Sequence, residues 1–138
     1  MLFEQWYIDQ FRETLGEPLN KSDGISNAEI EKLTKGKQIP AAMRDYFRVA
    51  GRHWLNTNHN ALHPLDSLDS VDGYTIFMDE NQLVVQWAIH DMEMSDEDPI
   101  VYQGQQTEIG YEWYAEDLTF SRFMVRMWRW IITGEVQD

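Results

Sequence analysis

Two strand-like runs decide the fold: Tyr74-Thr75-Ile76-Phe77-Met78 and Leu83-Val84-Val85-Gln86-Trp87-Ala88-Ile89. Both are rich in β-branched and aromatic residues, which favour strands. The four polar residues between them, 79–82, fit the short connection of a hairpin. The middle of the chain therefore predicts a pair of antiparallel strands.

Two shorter strand candidates follow, at residues 100–102 and 112–114, and Gly104 and Gly110 separate them. From Phe120 onward the apolar residues recur at the spacing of a helix, and Gly134 is placed to end it. The second half of the chain thus predicts a small, mostly antiparallel sheet followed by one helix.

The first half of the chain has the period of helices. One apolar stripe before Gly16 is formed by Phe3, Trp6, Tyr7, Phe11 and Leu15. A second helix begins at a capping box made by Ser26 and Glu29. A third helix covers residues 39–51, with Pro40 at its first position. Residues 52–72 are predicted to be irregular. The fold class is therefore α+β, in a single domain over residues 1–138.

The chain has 138 residues, with 24 acidic and 11 basic side chains and a net charge of −13. This charge repels phosphate backbones, so it argues against direct nucleic-acid binding. It attracts a basic protein partner and speeds its approach. The competing interpretation is that the charge only keeps the protein soluble.

The chain has no cysteine, which excludes disulfides and thiol chemistry. Glu4 and Asp9 interrupt the region where a signal peptide needs an apolar run, and no segment is long enough to span a membrane. We therefore expect a cytoplasmic protein that does not contact a membrane.

The densest cluster of charge lies in residues 91–98, directly after the second predicted strand. Its candidate partner-binding residues are Asp91, Met92, Glu93, Met94, Asp96, Glu97 and Asp98. The spacing fails the EF-hand pattern, because Asp96 stands where Gly is needed and Tyr102 where Glu is needed. The cluster is either a solvated loop or a dock for Lys and Arg side chains, with adventitious calcium binding as a weaker alternative.

Three arginines, Arg122, Arg126 and Arg129, fall on one side of the last predicted helix, opposite its apolar stripe. They are also candidate partner-binding residues, in a patch of opposite charge. The alternative is that they pair with acidic loops of the same chain or are simply solvated.

No catalytic motif is present, and we predict no cofactor or metal. His59 and His63 have the spacing of two zinc ligands on one helix face, but the metalloprotease Glu is missing and Pro64 follows at once. The serines lack a nucleophile elbow, and the glycines form no phosphate-binding loop.

The order of these segments resembles the SUKH superfamily over most of the chain from Ser26 onward. Residues 26–33 lead to an Ile39-Pro40 pair and an aromatic helix, and residues 79–89 contain a Glu-Asn-Gln turn into a strand. Residues 98–102 read Asp-Pro-Ile-Val-Tyr, and the strand around Trp113 precedes a last helix at residues 118–124. The chain departs from the family pattern after the third helix, where Ala50-Gly51-Arg52-His53 replaces an Asn-Gly pair.

The resemblance implies an α+β fold with a curved sheet flanked by helices, and no catalytic residues. It also implies a role, since many bacterial members are immunity proteins that bind a toxin, often a nuclease. The first hypothesis is therefore a non-catalytic protein that neutralises a basic toxin through the acidic cluster and the rim of the sheet. The alternatives are a scaffold or regulatory adaptor without a toxin partner, and a metal-dependent hydrolase using the carboxylates with His59 and His63.

Overall fold

The structure is a computed structural model in which residues 2–134 are described. Five α-helices form within this range: α1 Glu4–Leu15, α2 Asn27–Thr34, α3 Ala41–Ala50, α4 Leu55–Asn58 and α5 Phe120–Thr133. Six strands form there as well: β1 Ala61–Leu62, β2 Asp69–Val71, β3 Tyr74–Asp79, β4 Val85–His90, β5 Ile100–Thr107 and β6 Gly110–Thr119.

The strands make one antiparallel sheet in the order β1-β3-β4-β5-β6. β2 pairs with the same edge of β3 as β1 does, end to end with it. Helices precede and follow this sheet, so the predicted α+β class is confirmed.

Three of the predicted helix ends, at Gly16, Ser26 and Gly134, are found where the sequence placed them. Gly16 ends α1 and Gly134 ends α5, both at positive φ, which glycine adopts without steric cost. The Oγ atom of Ser26 accepts a hydrogen bond from the Glu29 amide at 3.1 Å and caps α2. Pro40, however, is the N-cap of α3 rather than its first helical residue.

Residues 52–72 were wrongly predicted to be irregular, because α4, β1 and β2 lie there. β1 has only two residues and β2 is mostly polar, and both are held by pairing with β3, a contact that no local pattern encodes. The predicted break at Gly104 was also wrong. Gly104 is buried inside β5, and β5 and β6 extend to 8 and 10 residues.

The core lies between the helices and one face of the sheet, which we call the inner face. Phe77 and Trp87 on this face contact Phe120 and Phe123 of α5, with ring centroids 5.1–5.8 Å apart. α1 packs on the other side of α5, where the Phe11 and Trp128 rings stack at 3.8 Å. Within residues 2–134 the helices therefore cover one face of the sheet, and none of them lies on the opposite, outer face.

Candidate protein-binding surfaces

The acidic cluster at residues 91–98, here called the acidic turn, connects β4 to β5. It begins with a 3-10 turn at Asp91–Glu93, and the His90 ring accepts a hydrogen bond from the Met92 amide. The Asp91 carboxylate accepts hydrogen bonds from Ser70 at 3.0 Å and Thr75 at 2.6 Å. Asp91 therefore holds the turn against β2 and β3.

The far end of the acidic turn is also built into the fold. The Asp98 carboxylate accepts hydrogen bonds from the Ser121 amide at 2.9 Å and the Ser121 hydroxyl at 2.6 Å. These bonds satisfy donors in the first turn of α5, and the acid is favoured there by the helix dipole. The Glu97 carbonyl accepts a hydrogen bond from the Ala42 amide at 2.8 Å, which ties the turn to α3.

Between these anchors the acidic turn presents side chains to solvent. Met92 is 84% exposed, and Asp96 and Glu97 are exposed with no side-chain hydrogen bond among residues 2–134. Glu93 is half-buried beside Tyr102; burial, followed by the Glu93 charge, raises the pKa of Tyr102. Met94 packs against the core. Of the seven predicted residues, Met92, Asp96 and Glu97 are therefore the most available to a partner.

The three predicted arginines lie together along the side of α5 that faces α1, where they line a shallow cleft with Trp6 and Gln10. Arg129 donates a hydrogen bond to Gln10 Oε1 at 2.8 Å, whereas Arg122 is exposed. None of the three guanidinium groups has a carboxylate within 4.0 Å in the part of the chain described. The alternative that these arginines form ion pairs with acidic loops of the same chain is therefore not observed within residues 2–134.

The structure divides the charge of the molecule into two regions. Residues 53–121, which include every described strand, contain fourteen acidic residues and no Lys or Arg. Residues 1–52, which form the N-terminal helices, contain eight acidic and eight basic residues. The region that contains the sheet therefore accounts for the net negative charge of the chain, and the acidic turn is one part of a larger region of a single sign.

The outer face of the sheet carries a cluster of aromatic side chains. Trp87 faces α5, so its neighbour Ala88 faces away, together with its cross-strand partners Ile76 and Tyr102. On that face Trp113 stacks on Tyr74, with the ring centroids 4.1 Å apart.

We call Tyr74, Tyr102, Tyr111 and Trp113 the outer aromatic cluster. All four are half-buried, and Ile76 and Ala88 beneath them are buried although they lie outside the main core. This cluster was not among the surfaces predicted from the sequence. The alternation of Tyr111 and Trp113 along β6 is the signal that points to it.

The two histidines with zinc-ligand spacing have separate contacts. The His59 ring lies 4.9 Å from the Trp130 ring, while His63 Nε2 lies 2.9 Å from the Asp79 carboxylate. Within residues 2–134 no three His, Asp or Glu side chains are grouped so as to hold a metal ion.

No family model matches the chain, and no curated protein or solved structure is significantly similar to it. None of the helices in residues 2–134 is both long and apolar enough to cross a membrane.

Proposed function

We propose that this protein is a non-catalytic, cytoplasmic binding protein. It binds a basic toxin domain and neutralises it, as an immunity protein does. The observation that carries the proposal is the charge of the sheet region, with fourteen acidic residues and no Lys or Arg. A nuclease is the toxin class that matches this charge best, because its cleft must be positive to attract phosphates.

Electrostatic attraction of this kind acts mainly on the rate of association. A surface of one sign steers an oppositely charged partner and raises the association rate constant well above that of a neutral pair. It also disfavours acidic proteins as partners, which gives specificity.

Apolar contact has to accompany the charge, since most binding energy comes from a few desolvated side chains. Met92 offers an adaptable side chain at the tip of the acidic turn. The outer aromatic cluster adds Tyr and Trp, the residue types enriched at the centres of interfaces. Both features lie in the acidic region, which supports their use together by one partner.

The test is to mix the protein with the toxin domain encoded beside its gene. We expect a stable complex by size-exclusion chromatography with light scattering, and loss of toxin activity in proportion to complex formed. No complex at micromolar concentrations, with an active toxin domain in the mixture, contradicts the proposal. A stable complex that leaves the toxin fully active also contradicts it and favours the adaptor alternative.

A further inference from the structure

A groove of about 570 Å³ lies between α5 and the inner face of the sheet, at the end away from the acidic turn. This volume is within the range of about 300–1,000 Å³ that is typical of ligand sites. Its lining combines aromatic side chains with charged ones. The aromatic and charged residues considered as ligand contacts are Glu80, Trp87, Glu116, Arg126 and Trp130.

The Glu116 carboxylate is fixed in this groove by two donors. Its Oε1 atom accepts hydrogen bonds from the Trp87 indole at 3.0 Å and from the Gln103 amide at 3.1 Å. The other oxygen, Oε2, has no hydrogen-bond donor among the residues described. The carboxylate is therefore oriented by the protein and keeps one oxygen for a further donor.

The backbone around Glu116 departs from regular pairing. Ile100 pairs with Thr119 and Tyr102 with Ala115, so three residues of β6 lie opposite Val101 alone. Asp117, within this bulge, has a φ of 59°, a left-handed conformation that is uncommon for residues other than glycine. Bulges of this kind redirect side chains, and here the irregularity accompanies the placement of Glu116 in the groove.

The walls of the groove suit the stem and head of a cationic side chain. Trp87 and Trp130 provide apolar and aromatic surface, which attracts methylene groups and cations. Two carboxylates, Glu80 and Glu116, outnumber the single guanidinium group of Arg126 in the lining. The balance of charge is therefore negative and favours a cation.

We propose that this groove binds one arginine side chain of the partner, with its guanidinium group donating to Glu116 Oε2 and its stem against Trp87 and Trp130. The assignment to a partner protein rests on the proposed function, namely the binding of a basic protein. The capacity of the groove to hold a guanidinium group is testable without any partner.

The experiment follows the indole N–H resonance of Trp87 by NMR while N-acetyl-arginine amide is added to the full-length protein. We expect a saturable shift of this resonance, because its acceptor is the carboxylate that binds the ligand. N-acetyl-citrulline amide has the same shape without the charge, and we expect about tenfold weaker binding from it. Glu116→Gln keeps an acceptor for Trp87 and should abolish the arginine response.

The matched control is Glu112→Gln, which removes a carboxylate from the same strand outside the groove lining and should bind like the wild type. An absent or unsaturable shift overturns the proposal, and so does equal binding of citrulline or an unchanged response in Glu116→Gln. Arginine binding together with no toxin complex refutes the proposed function but keeps the groove. A toxin complex without arginine binding refutes the groove alone.

Discussion

Among single residues, Tyr46 joins two other buried polar side chains in the core. Its hydroxyl accepts a hydrogen bond from the Trp128 indole at 3.0 Å and donates one to Asn56 Oδ1. Asn56 in turn donates to the Ala50 carbonyl at 2.7 Å. Burial raises the pKa of Tyr46, so the hydroxyl stays protonated and keeps its donor role.

Tyr46→Phe removes this hydroxyl and leaves the Trp128 indole and the Asn56 carbonyl without their partner. We expect the free energy of unfolding to fall by about 1–3 kcal/mol, the cost of buried polar groups left unpaired. Urea denaturation measures it. Tyr114→Phe is the control, because Tyr114 is 49% exposed. Loss of its hydroxyl group should change the free energy of unfolding by less than about 0.5 kcal/mol. Equal losses in the two variants contradict this account.

His53 is a second buried polar residue, and its contacts make stability depend on pH. Its ring packs on Trp128 at 4.6 Å, and its Nδ1 atom accepts a hydrogen bond from the Leu55 amide at 3.2 Å. Burial lowers the pKa of His53 below its usual value, because the charged form is poorly solvated there. The unfolded chain therefore takes up this proton more readily than the folded one.

The stabilising contribution of neutral His53 is complete above the unfolded pKa of about 6.5 and is lost as the pH falls through the lower folded value. His53→Asn keeps an acceptor for the Leu55 amide but does not titrate. When the pH is lowered from about 7.5 to about 5.5, we expect the free energy of unfolding of the wild type to fall relative to that of the variant. Denaturation at both pH values measures this difference, and identical pH dependence in the two proteins would refute it.

Among the structural elements, the β5–β6 hairpin depends on one close contact. A Cβ atom on Gly104 would lie 2.5 Å from the Trp113 ring. This ring lies over Gly104 and stacks on Tyr74. The glycine therefore serves the packing of the outer aromatic cluster rather than a turn.

Gly104→Ala should push the Trp113 ring off Tyr74 and lower the free energy of unfolding by about 1–3 kcal/mol, as overpacking does. In a Trp113→Ala background the same substitution meets no ring, so its cost should fall by about 1 kcal/mol or more. A double-mutant cycle measured by denaturation gives this coupling. An identical cost in both backgrounds would show that the contact does not constrain residue 104.

The elements differ in how far they were predictable from sequence. α1, α2 and α5 have local signals, such as Ser26 at a cap and Gly134 at an end, and these predictions are confirmed. β1 and β2 have no local signal, because they form only by pairing with β3. The capping of α5 by Asp98 joins residues 23 positions apart, and the bulge at Glu116 depends on register. Neither is encoded in a short pattern.

The sequence predicted the acidic turn and the three arginines as candidate surfaces. It did not predict which of these residues make contacts within the fold and which are exposed. Asp91 and Asp98 accept hydrogen bonds from Thr75 and Ser121, respectively. Asp96 and Glu97 are exposed. Arg126 lines the groove with Glu116, which was not among the predicted site residues. These divisions depend on contacts between distant segments, which composition and periodicity do not specify.

The molecule as a whole combines an acidic sheet region with N-terminal helices whose acidic and basic residues are equal in number. Charges of one sign on one region give a directional field, and salt screens it over about 10 Å at 0.1 M. Binding of a basic partner should therefore slow markedly as salt is added. Charge reversal of the exposed acids of the turn should slow this binding more than charge reversal of exposed acids in the N-terminal helical region.

The most direct measurement is the association rate constant with the toxin domain, at low salt, for two charge-reversed variants. Asp96→Lys with Glu97→Lys changes the acidic turn and leaves Asp98 in place to cap α5. Glu13→Lys with Glu17→Lys makes the same change of charge in the helical region, at exposed sites. We predict that the first pair slows association about tenfold or more and the second has little effect. Equal rates for the two variants and the wild type would contradict the proposal that the partner binds to the acidic region.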